Sequence, residues 1–120
     1  AVEWLAPFAP AHQKEAWGVL PGVASLEDPR AAREAGAFAA GISRVVSAYE
    51  EGGLHPFTFA FLSAPRAPDA DWALHVKLCA RPALRPLYSN YDTWFTPKIM
   101  GDDVHLEPPE AWAGRMRARF

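Results

Sequence analysis

Apolar and polar residues alternate between Trp72 and Pro82, with Leu74, Val76, Leu78 and Ala80 in one register and Ala73, His75, Lys77 and Cys79 in the other. Successive strand side chains point to opposite faces, so this period of two predicts a strand whose first set lies in the core. Any chemistry then sits on the second face. The same period appears upstream in Phe57, Phe59 and Phe61 after Pro56. These two runs are expected to pair antiparallel across a loop from Ser63 to Asp71, where two prolines, two aspartates and Arg66 disfavour regular structure. Near the start, Val2, Trp4 and Ala6 alternate with Glu3 and Leu5 until Pro7 and Pro10 remove donors from the ladder. Glu15 to Pro21 reads as a second strand, making a hairpin with the first.

The pattern changes to steps of three and four after Ser25. Asp28 before Pro29 is a helix start, the carboxylate accepting from orphan N–H groups and the proline standing where its missing donor costs nothing. Ala35, Phe38, Ile42, Val45 and Tyr49 form one apolar stripe, widened by Ala39 and Val46, while Arg33, Glu34, Arg44, Ser47 and Glu51 take the other side. Gly52-Gly53 supplies the left-handed residue that ends one long helix. Pro108-Pro109-Glu110 opens a closing helix with Trp112, Met116 and Phe120 on one face. Between 84 and 95 the aromatics Tyr88, Tyr91, Trp94 and Phe95 follow no clean period, which predicts an irregular segment with a turn at Ser89-Asn90. Lys98 to Met100 and Val104 to Leu106 are expected as short strands about a Gly101 to Asp103 turn. The sum is an α+β fold: an antiparallel sheet with one long helix and a C-terminal helix packed on one face, a single domain over 1–120.

Composition narrows the classes. Half of the 120 residues are apolar and 12% aromatic, with five tryptophans, so the chain can build a core that removes roughly two-thirds of its unfolded surface from water. Twelve basic and 14 acidic side chains give a net charge of −2, mixed along the chain. That balance leaves no footprint for nucleic acid or an anionic membrane surface. The single Cys79 forms no internal disulfide, no apolar run has the length of a membrane span, and no signal peptide precedes the first strand. A reducing cytoplasm is the expected location. The opening Ala1-Val2-Glu3-Trp4, already strand-like and without an initiator Met, reads as a domain cut from the second half of a longer protein.

His75 with Lys77 and Arg81 forms a basic spot suited to a phosphate. The competing reading is a solvated outer face. His75 and Cys79 are not a nucleophile pair, because four strand residues separate them by roughly 13 Å. Asp102, Asp103, His105 and Glu107 form an acidic cluster, yet Gly-Asp-Asp is ordinary turn chemistry. Arg115, Arg117 and Arg119 suit the last helical turns, where the dipole favours cations. The Tyr88, Tyr91, Trp94 and Phe95 group is either a cover over the sheet or a contact surface.

Four stretches carry a resemblance: Glu15 to Pro21, Phe57 to Pro65, the strand around His75, and the Pro-Glu start of the closing helix with Ala113 and Arg117. In layout the chain resembles the histidine triad superfamily, and in particular the C-terminal half of the galactose-1-phosphate uridylyltransferase branch. In that family a His-x-His strand carries the nucleophile in the first of two domains, and histidines on the equivalent strand of the second bind a structural metal. Here Lys77 and Leu62 stand at two of the expected histidine positions. The resemblance therefore implies a nucleotidyltransferase parent that moves UMP or AMP in galactose and nucleotide-sugar metabolism. This domain would supply substrate pocket and subunit contacts without a complete catalytic motif, metal or cofactor. His75, Lys77 and Arg81 are the candidate remnant or phosphate contacts. An upstream domain or a second copy would meet Tyr88, Tyr91, Trp94 and Phe95. The alternative is a non-catalytic binding or assembly module with the same fold; a self-sufficient hydrolase using His75 alone lacks the rest of the triad.

Overall fold

The computed structural model describes residues 1–54, 56–64, 71–81 and 107–120. Among them four strands, β1 (Glu3–Leu5), β2 (Ala16–Leu20), β3 (Phe57–Leu62) and β4 (Leu74–Ala80), form one antiparallel sheet in the order β1-β2-β4-β3. The alternation in β4 is realised residue by residue: Leu74, Val76, Leu78 and Ala80 are buried, while His75, Lys77 and Cys79 are half-buried on the opposite face. β4 lies between β2 and β3, the position that an apolar set of this length suits best, with a neighbour on each side. Among the described residues the three-residue β1 and the six-residue β3 form the edges.

Among the described residues the helices pack on the face that carries Leu74, Val76 and Leu78. The expected single helix is two: α1 (Pro29–Arg33) and α2 (Ala35–Glu51), divided at Glu34, whose φ of −94° and ψ of 3° leave the helical basin. Gly36 is the second residue of the second segment, where its low helix propensity weakens continuation through the junction. Asp28 caps α1, accepting from the Arg30 backbone N–H at 2.8 Å. That carboxylate is held down at about 2 by its hydrogen bond and ion pair with the Arg30 side chain. The buried stripe of α2 is Phe38, Gly41, Val45 and Tyr49, with Ile42 and Val46 half-buried. Ala35 and Ala39, expected in that stripe, are exposed. Their place at the centre goes to Gly41, because the Trp4 indole enters from β1 and leaves no room for a side chain there.

α2 ends in a Schellman arrangement. Gly53 adopts φ +71°, its N–H donates to Glu50 O, and Leu54 N–H donates to Tyr49 O at 2.9 Å. The last helix, α3 (Pro109–Arg117), buries Trp112 and Met116. Trp112 stacks on Tyr49, with ring centroids 5.4 Å apart, and its Nε1 donates to Glu15 O at 3.0 Å. Burial raises the Tyr49 hydroxyl well above the usual phenolic range, and that hydroxyl donates to Lys14 O at 2.7 Å. The expected segments at 84–106, including both short strands, lie outside the described residues.

Candidate functional site

The sheet face turned away from the helices holds the polar set of β4, and register decides its neighbours. Trp17 of β2 stands opposite Lys77, Val19 opposite His75, and on the other side Ala60 and Leu62 of β3 stand opposite Lys77 and His75. The Trp17 indole fills the diagonal between them. Its ring lies 5.6 Å from the His75 imidazole, stacked at 25°, and the Lys77 Nζ sits 4.1 Å from its centroid. A cation so placed over an indole gains about 0.5–1 kcal/mol where water still reaches it. Trp72, just before β4, covers His75 with ring centroids 5.5 Å apart. His75 is thus packed between two indoles.

One nitrogen of His75 is committed. Nδ1 lies 2.8 Å from the Ala73 carbonyl, which can only accept, so Nδ1 carries the proton, and among the described residues Nε2 has no hydrogen-bond partner. The strand's own backbone thus fixes the tautomer, without a second imidazole two residues on. Lys77, at that position, supplies positive charge instead.

Trp17 is held by the carboxylate at the head of β2, Glu15, to which the sequence pattern assigns only a strand position. Glu15 is buried, and its Oε2 accepts from the backbone N–H groups of Ala11 and His12 at 2.9 and 3.1 Å, while Oε1 accepts from Trp17 Nε1 at 2.5 Å. Both oxygens are engaged, so Glu15 orients the indole and closes the β1–β2 connection. The sequence signal was a lone acidic residue heading an apolar strand. Its function depended on a register that no local pattern reveals.

Arg81 is not part of this cluster. Six residues of extended chain put it roughly 20 Å from His75. It follows the end of β4, its backbone N–H donating to Pro56 O at 2.8 Å. A single phosphate bridging His75, Lys77 and Arg81 is therefore excluded by length, and the three-residue basic spot reduces to two. Cys79 also stands apart from His75, as its spacing requires. It borders a hollow of about 230 Å³ together with Thr58, Ala60, Leu62, Lys77 and Glu15. That volume falls below the roughly 300–1,000 Å³ of sites for drug-sized ligands and suits a phosphate or one sugar ring. A larger gap of about 350 Å³ between β1 and α3, lined by Trp4, Met116, Arg117 and Phe120, is remote from His75.

Among the described residues no three His, Cys, Asp or Glu side chains converge as a metal site, and no helix is long and apolar enough to cross a membrane. Tyr88, Tyr91, Trp94, Phe95, Asp102, Asp103 and His105 lie outside the described residues. No family model, curated protein or solved structure matches the chain.

Proposed function

We propose that this chain is a histidine-triad-like domain of a nucleotidyltransferase resembling galactose-1-phosphate uridylyltransferase, working in the cytoplasm on a nucleotide or sugar phosphate. The observation that carries the reading is the pairing of His75 and Lys77 on one face of the central strand, a face that carries no helix and where the imidazole Nε2 has no partner among the described residues, with an ammonium two residues away. A phosphoryl group fits that chemistry: Lys77 supplies charge, and Nε2 donates when the ring is protonated or accepts from a protonated oxygen when it is not. No catalytic residue is assigned within the chain. The nucleophile belongs to another domain of the parent, Arg81 contacts a more distant part of the ligand, and Tyr88, Tyr91, Trp94 and Phe95 meet an upstream domain or a second copy.

The second reading, a binding or assembly module, draws on a specific observation. Lys77 and His75 already pack on Trp17, so part of their capacity is spent internally. Neither reading expects turnover from this chain, but only the first expects it to bind a nucleotide phosphate, and both are tested on the chain itself. NMR resonances of the His75 ring and the Lys77 side chain are followed during titration with UMP and, separately, with uridine. The phosphate reading expects saturable shifts with UMP only, at a dissociation constant on the order of 1 mM, or about −4 kcal/mol, and their loss in Lys77→Ala. Unmoved resonances with UMP reject it in favour of the assembly module. A covalent nucleotidyl adduct formed from a nucleotide sugar and abolished by His75→Ala would overturn the placement of the nucleophile elsewhere.

A further inference from the structure

β1 and α3 face each other across a gap of about 350 Å³, and every residue that lines it is described. Its floor is buried: Ala16 is 2% exposed and Met116 6%. The space exists because small side chains stand where larger ones would fill it. Ala6 follows β1, Ala16 opens β2 and Ala113 lies on α3, while the Trp4 indole on one wall is drawn toward Gly18 and Gly41. Phe120 stacks on that indole with centroids 5.3 Å apart and extends the aromatic wall. Interiors otherwise pack at near-crystalline density, so a gap of this size is no packing defect and falls in the range of small-molecule sites, roughly 300–1,000 Å³.

Arg117 is the one charged residue in the lining. Its side chain is exposed at the mouth and makes no ion pair among the described residues, whereas Arg115 and Arg119 beside it are paired with Glu107 and Glu51. A hollow of about 250 Å³ adjoins the gap and shares Ala6, Ala113 and Arg117 with it, but is bordered by Glu110, whose charge repels an anion from that side. Arg44 lies over the Phe120 ring, 5.3 Å from its centroid, and adds a second positive charge nearby.

The two halves of this lining ask for different things. Trp4 and Phe120 present flat aromatic surfaces, and the Met116 thioether adapts to the edge of a ring. The guanidinium of Arg117 matches a carboxylate through two parallel hydrogen bonds. An anion with no apolar body leaves the floor unfilled, and a neutral apolar body leaves Arg117 unpaired. We propose that the gap between β1 and α3 binds a small aromatic carboxylate, its ring among Trp4, Met116 and Phe120 and its carboxylate on Arg117. The site is remote from His75 and stands independently of any phosphate bound there.

Titration of the whole chain with cinnamate, followed by NMR through the Met116 methyl and the Trp4 indole N–H, tests the proposal. Saturable shifts at both are expected with the His75 ring unmoved, which separates this outcome from that of the UMP titration. Cinnamyl alcohol, which keeps the ring and loses the charge, should bind roughly tenfold more weakly, and so should cinnamate to Arg117→Gln. Arg117→Lys should recover only part of the loss, because an ammonium lacks the fork. Acetate at the same concentrations should leave the Met116 methyl unmoved. Ala113→Phe is expected to fill the gap and abolish the response; should it fail to fold, the Arg117 variants, at an exposed helical position, carry the test. A Met116 methyl that cinnamate does not move overturns the proposal. So does equal binding of acid and alcohol, or an affinity unchanged in Arg117→Gln, either of which leaves only a non-specific apolar crevice. Shifts at His75 in place of Met116 would put the acid on the other face of the sheet and overturn it as well.

Discussion

Trp4 and the glycines around it show how a single side chain shapes two elements. Its indole lies over Gly18, opposite it in the β1–β2 register, and against Gly41 of α2. A Cβ at Gly18 would stand 2.8 Å from Trp4 Cζ2, and one at Gly41 would meet the indole still more closely. Neither contact is possible without moving the ring, which also stacks on Phe120 with centroids 5.3 Å apart. Gly41→Ala is therefore expected to destabilise by about 1–3 kcal/mol, the range for overpacking, although alanine is the better helix former. Thermal denaturation should show the loss, and adding Trp4→Leu should recover part of it. If Gly41→Ala raises the melting temperature, helix propensity outweighs the clash and the indole does not occupy that slot. Neither Gly41's place in the buried stripe nor its partner was read from the sequence, because the contact joins residues 4 and 41 through tertiary packing.

At the scale of elements, periodicity was legible and register was not. β4 follows its alternation through all seven residues, and α2 its three-four spacing, because burying one face leaves each element a single orientation. The break at Glu34 left no mark in the apolar pattern, since Asp28, Pro29 and the following alanines all favour helix, and only Gly36, a poor helix former, hints at it. The neighbours of His75 were equally hidden: Trp17 comes to it only because Ala16 pairs with Leu78 and Trp17 with Lys77. That register is reinforced by the connection from Ala6 to Glu15, which the Glu15 carboxylate folds back by accepting from Ala11 and His12. Glu15→Ala would leave two backbone donors and the Trp17 indole N–H without their acceptor, at about 1–3 kcal/mol for each group that water does not reach. The expected result is a loss of at least about 2 kcal/mol, faster amide exchange at Ala11 and His12, and displaced His75 ring resonances as Trp17 is freed. Unchanged His75 resonances would show that Glu15 does not position the indole for the site.

For the whole molecule, closure depends on bringing α3 back to the start of the chain. Trp112 supplies the buried anchor, and a polar clasp surrounds it: Lys14 pairs with Glu107 at 3.3 Å, Arg115 with the same carboxylate, and Arg119 with Glu51 at the end of α2. Lys14 holds a left-handed φ of 49°, and its carbonyl accepts from the Tyr49 hydroxyl, which ties this residue to the end of α2 as well as to Glu107. The Arg115 hydrogen bonds, followed by those of Lys14 and the two positive charges, hold the Glu107 carboxyl below its ordinary value against the opposing effect of burial. A folded value below the unfolded one means that the unfolded state binds the proton more readily as pH falls. The clasp's contribution is thus complete above the unfolded carboxylate range near 4 and is lost as pH drops through the depressed folded value. Asp28, paired with Arg30, titrates in the same direction, so acid sensitivity alone does not identify Glu107. The comparison with Glu107→Gln does, since Asp28 contributes equally to both chains. The variant should lose about 1 kcal/mol at neutral pH and show a shallower decline in melting temperature below pH 4. The two curves should converge in strong acid, where Glu107 is protonated in the wild type as well. Parallel curves with a constant offset would mean that Glu107 stabilises through packing, and that the charge on α3 has no part in holding it against the sheet.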